Sequence, residues 1–150
     1  MSMRSAGKAQ DEQVLRPLDL SHQETSTPQF RMLQSIHEAF ARSASNVLST
    51  FLESEIPVQL AGTRLTTAGD FRRTIPNPSC LIVLRLHPGP DTMMLHLESA
   101  TVLTLLDLLL GGTGTPTSPA RELTEIEWSL LEEVSRVILL ALGESWQIVK

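Results

Sequence analysis

Val102-Leu103-Thr104-Leu105-Leu106-Asp107-Leu108-Leu109-Leu110-Gly111-Gly112-Thr113-Gly114 is a leucine-rich run that breaks into glycine. Up to Leu110 the apolar density is that of a buried helix. Gly111 stands where such a helix ends in a left-handed conformation, which costs glycine almost nothing. One glycine is enough to stop a helix. Three within four residues leave backbone with little side-chain cover, so another surface can come close to its N–H and C=O groups. The competing reading is a plain flexible loop, and the flanking residues decide between the two.

Downstream, Thr115-Pro116-Thr117-Ser118-Pro119 cannot be regular. Thr124 and Glu127 then have the spacing of a capping box, with Leu123 and Trp128 at the positions of a hydrophobic staple. Ile126, Leu130, Leu131, Val134, Ile138, Ala141 and Leu142 form an apolar stripe on a helix reaching Trp146. Glu132 and Arg136 can pair on its outer face.

Upstream, Met93, Leu95 and Leu97 alternate with Met94 and His96, the pattern of a strand. Cys80 to Leu86 is a near-continuous apolar run, expected to be a strand buried on both faces. Pro88-Gly89-Pro90-Asp91 is turn chemistry that joins the two as a hairpin, and Glu98-Ser99 opens the leucine-rich helix. Ile56, Val58 and Leu60 alternate as in a half-buried edge strand. Asp70 to Arg73 suit a short helical turn before the break Pro76-Asn77-Pro78.

Earlier still, Thr27-Pro28 reads as an N-cap and first helical residue. Phe30, Leu33, Ile36, Phe40, Ala44, Val47, Leu48 and Phe51 then mark one face of a helix of about six turns. Residues 1–15 are expected as a disordered tail, with Arg16 to Leu20 extended and 16–150 one domain. The class is α/β in the layered α+β sense: long amphipathic helices packed on a small, mainly antiparallel sheet.

Composition narrows function by exclusion. The 150 residues suit one domain with a real core. The net charge of −5 and the lack of a basic patch argue against nucleic acid. The single cysteine, Cys80, cannot form an internal disulfide, which fits a reducing compartment, and it reads as a small core residue. No apolar run is long enough for a transmembrane segment.

Metal and cofactor sites find no support. His37-Glu38 opens like a zinc-protease helix, but the second ligand position is Ala41. His22, His37, His87 and His96 lack ligand spacing, and no lysine lies between Lys8 and Lys150 to complete a phosphate loop. A dinucleotide fingerprint needs a preceding strand and a glycine at 117, where threonine stands. Carboxylates are expected on solvated helix faces. No catalytic residue, metal or cofactor is assigned.

Five segments occur in order: Arg16-Pro17-Leu18-Asp19-Leu20-Ser21, Ile36-His37-Glu38-Ala39-Phe40-Ala41-Arg42, Asp107 to Gly114, Arg121-Glu122-Leu123-Thr124 with Glu127, and Trp146. Together they resemble the middle domain of the FliM family of flagellar motor switch proteins, from about Arg16 to Trp146. The resemblance implies a non-enzymatic part of the cytoplasmic ring at the base of the flagellum, peripheral to the inner membrane, that couples chemotaxis signalling to rotor direction. It implies binding of the rotor protein FliG through Gly111, Gly112, Thr113 and Gly114, and packing beside neighbouring FliM-like copies.

The fold it implies is similar to the CheC phosphatases, built of two related halves. Those enzymes use Glu-x-x-Asn against phosphorylated CheY. Here Glu38 is followed at that spacing by Ala41, Glu132 by Ser135 and Glu133 by Arg136. A CheC-type phosphatase is therefore the alternative reading, and a degenerate fragment without independent function is another. The segments that would capture CheY and bind FliN have no match, which counts against both as partners. The second half is expected to be incomplete, so that the domain is partial. Val137 to Leu142 would then cover a missing sheet, and the chain would be stable only with a partner or as an oligomer.

Overall fold

Thr27 begins the first helix as its spacing predicts: in the computed structural model its side chain accepts the Phe30 N–H at 3.3 Å, with Pro28 in the first turn. The structure describes residues 27–85, 89, 91–115 and 119–147. The tail at 1–15, the stretch Arg16 to Leu20, His22, Leu86, His87, Pro88, Pro90 and residues 116–118 lie outside them.

The elements in order are α1 (Pro28–Phe51), α2 (Ala68–Thr74), β1 (Ser79–Arg85), β2 (Thr92–Glu98), α3 (Ser99–Leu109) and α4 (Glu125–Trp146). α1 packs along α4, α3 packs against both α4 and the hairpin, and β1 pairs antiparallel with β2 from Ser79↔Glu98 to Arg85↔Thr92. This is the expected layering of long helices on a small antiparallel sheet.

One core joins all three layers: Leu48 and Leu52 from the end of α1, Cys80 from β1, Val102, Leu105 and Leu106 from α3, and Leu131, Val134 and Ile138 from α4. Val102, Leu131 and Val134 are fully buried. Each contributes roughly 2 kcal/mol of apolar burial, and α3, buried at Val102, Leu103, Leu105 and Leu106, is pinned from inside along most of its length. Cys80 is a core residue, and burial raises its thiol pKa.

Several sequence expectations fail, the first of them for local reasons. Ile56, Val58 and Leu60 are not a strand. They alternate in burial with Pro57 and Gln59, but their backbone leans on α1. The Ile56 N–H donates to Ser49 Oγ at 2.9 Å, and Ser45 Oγ donates to the Ile56 carbonyl at 2.6 Å. Pro57 has no N–H for a ladder. Alternation reports an extended half-buried chain; a strand also needs a neighbour to bond with.

β1 is not buried on both faces. Cys80, Ile82 and Leu84 turn inward, whereas Leu81 and Val83 are exposed, Val83 at 63% and opposite the exposed Met94. The helices cover one face of this hairpin, and a continuous apolar run does not say how many faces are covered. Ile126 does not join the α4 stripe; it is 75% exposed in the first turn. The buried face of α4 starts at Leu131.

Candidate functional site

The glycine segment is a built structure, fixed by the residues just before it. α3 is capped by Leu110, and Gly111 follows at φ 83°. The Gly111 N–H donates to the Leu108 carbonyl at 2.9 Å and the Gly112 N–H to the Asp107 carbonyl at 2.8 Å. These two bonds form a Schellman motif, which satisfies carbonyls that a helix end leaves unpaired.

The Asp107 side chain then folds over the turn. Its Oδ2 accepts the Gly114 N–H at 2.8 Å. A Cβ added at Gly112 would stand 2.4 Å from that carboxylate. Gly114 lies at φ 74°, and a Cβ there would meet Leu108 Cδ2 at 3.1 Å. Each glycine thus has its own requirement: positive φ at Gly111 and Gly114, and the closeness of Asp107 at Gly112. Thr113 is free of these demands; its Oγ1 lies 2.7 Å from Thr115 Oγ1.

The result is a rigid, outward-facing turn. Gly111, Gly112 and Thr113 are exposed, and Gly114 is half-buried. Leu110 beside them is 70% exposed and Phe51, at the end of α1, is 39% exposed. A bare backbone turn with apolar side chains at its edge suits contact with another protein. The sequence reading named the four loop residues but missed Asp107, Leu110 and Phe51. An aspartate four residues before a C-terminal glycine was visible; that its carboxylate reaches forward to Gly114 was not.

Beyond the loop the chain is anchored again at the start of α4. Thr124 Oγ1 accepts the Glu127 N–H at 3.3 Å, and the Thr124 N–H donates to Glu127 Oε2 at 2.8 Å, closing the expected capping box. Arg121 grips the same carboxylate with two bonds, Nη1 to Oε2 at 2.8 Å and Nη2 to Oε1 at 2.6 Å. The Arg121 guanidinium, followed by the Thr124 N–H, lowers the Glu127 pKa from 4.5 to about 2. Ser99 Oγ donates to the Arg121 carbonyl at 3.0 Å, tying the entry of α4 to the first turn of α3. Glu127 thus fills the capping role its spacing predicts, whereas Asp107, whose carboxylate accepts the Gly114 N–H, departs from the expectation that carboxylates lie on solvated helix faces or in the tail.

The other residues singled out in the sequence do not assemble. His37 sits alone with its Nδ1 2.7 Å from the Leu33 carbonyl. Among the described residues no group of three His, Cys, Asp or Glu side chains could hold a metal. No helix among them is long and apolar enough to cross a membrane. At the phosphatase spacings, Ala41 and Ser135 are buried, and Arg136 lies 3.5 Å from both Glu132 and Glu133.

The family described as flagellar motor switch protein FliM matches residues 26–150. The chain is 37% identical over 121 residues to the flagellar motor switch protein FliM of Treponema pallidum, covering 81% of this chain and 35% of that protein. It is 35% identical over 125 residues to that of Borreliella burgdorferi, covering 83% and 36%. It therefore spans about a third of the length of the curated relatives it matches. Its fold is similar to a chain in the crystal structure of a FliG–FliM complex from H. pylori, with a TM-score of 0.78 at 31% identity over 83% of this chain and 68% of that one. It is also similar to the crystal structure of the FliM middle domain from H. pylori, with a TM-score of 0.73 at 30% identity over 83% and 67%.

Proposed function

Because the chain belongs to the FliM family of flagellar motor switch proteins, we propose that it is a non-enzymatic docking component of the motor switch ring. It binds FliG through the turn Gly111–Gly114, stands beside copies of itself in the ring, and works at the cytoplasmic face of the flagellar base. A solved relative is held in a complex with FliG, which supports the choice of partner.

Asp107 carries this reading. Its carboxylate holds the turn in one shape by the 2.8 Å bond to the Gly114 N–H, while the outer face of the turn stays open. A turn fixed in advance loses little conformational freedom on docking, so more of the contact energy appears as affinity. Leu110 and Phe51 supply apolar surface at its edge.

Thr113→Trp tests this directly. Thr113 is exposed and, among the described residues, its side chain bonds only Thr115, so the variant should melt like the parent. A bulky ring on the docking face should weaken FliG binding at least about 30-fold, the loss of a hot-spot contact. Unchanged affinity in a titration against purified FliG would contradict the assignment.

A further inference from the structure

Beside the glycine turn, α1 ends next to α3. Leu52 caps α1, and the Ser54 N–H reaches back to the Ser49 carbonyl at 3.2 Å, the same six-to-one closure seen in α3. Between the two ends lies a cleft of about 490 Å³ whose walls include Phe51, Glu53, Ser54, Leu109, Gly112 and Thr113.

The cleft is electronegative by construction. Each helix turns its negative pole, roughly half an elementary charge, toward this region. Neither carries a basic residue in its last turn to offset it. No lysine or arginine lines the cleft, whereas Glu53 adds a full charge at its rim. Glu53 takes part in none of the ion pairs among the described residues.

The position of Glu53 sharpens the point. It sits at φ 48°, in the slot after the helix cap where α3 uses Gly111 at φ 83°. A side chain there is strained, and glycine would relieve it. The carboxylate is exposed and joins no ion pair among the described residues that would compensate.

We propose that this cleft receives a lysine or arginine side chain of the protein docked on the glycine turn. The inference rests on the docking role of Gly111–Gly114 and names the chemistry of what sits beside it. The cation meets the negative poles of two helix ends and the Glu53 carboxylate at once, while the turn and Leu110 take the neighbouring surface.

Titration of FliG into the parent, Glu53→Lys, Glu53→Gln, Glu53→Gly and Gly112→Val at about 0.05 M and about 0.5 M salt tests it, since the Debye length shortens and screening strengthens over that range. Glu53→Lys should bind about tenfold more weakly than the parent at low salt, with the gap narrowing at high salt, and Glu53→Gln about threefold more weakly. Glu53→Gly should melt higher than the parent yet still bind FliG more weakly, which separates the charge from the fold. If Glu53→Lys matches the parent, or its deficit is the same at both salts, the cation cleft is wrong. When Gly112→Val abolishes binding in that same series, the docking role of the turn survives the failure. When Gly112→Val binds like the parent, that role itself fails, and the cleft falls with it.

Discussion

The connection between α3 and α4 is held at its two ends by opposite means. At the near end one carboxylate and three glycines shape the backbone, and the outer face stays bare. At the far end a capping box, a two-bond arginine clamp and a tie to Ser99 fasten the chain onto α3. The near end uses side chains sparingly and leaves its outer face exposed. The far end uses them densely and makes the helix start secure. Docking and stability are therefore expected to separate along one short stretch of chain.

The largest expected effect is at the near end. Gly112→Val places a Cβ against the Asp107 carboxylate and must displace it from the Gly114 N–H. FliG affinity should fall at least about 30-fold, while stability falls only about 1–2 kcal/mol for the lost bond. Parallel FliG titration and urea unfolding check both. A variant that unfolds outright would erase the contrast between the ends.

At the far end the signs reverse. Thr124→Ala removes the cap and should cost about 1 kcal/mol of stability, with FliG affinity unchanged. A large affinity loss there would mean that the whole connection, not its glycine end, meets the partner.

The smallest effect is a pH dependence. Glu127 has its pKa lowered from 4.5 to about 2 in the folded chain, so the clamp contributes above pH 4.5 and fades as pH falls toward about 2. Comparing Glu127→Gln with the parent across that window should show their stability difference shrinking toward acid. A constant difference would show that the clamp does not depend on the Glu127 charge. Arg121 is partly exposed, so added salt should weaken the clamp as well.

Much of this was legible from local chemistry. Thr27-Pro28 and the Thr124–Glu127 box announce their helices because caps act within one turn. The stop at Gly111 was legible for the same reason. What escaped depends on distance or on neighbours. Ile56 to Leu60 alternates like a strand, but its first residue, Ile56, is bonded to serines on α1, and no pattern within the segment states that. The exposed face of β1 depends on how many layers cover the hairpin. Asp107 looked like one polar residue in a leucine helix, because its partner lies seven residues on and is reached only through the left-handed turn. Arg121 and Glu127 are six apart, a spacing outside both helix and strand periods.

Amide hydrogen exchange with and without saturating FliG tests the central claim most directly. Exchange across residues 110–115 should slow on binding, while the Thr124–Glu127 cap keeps its rate. FliG bound at saturation with exchange at 110–115 unchanged would contradict the assignment of this turn as the docking surface.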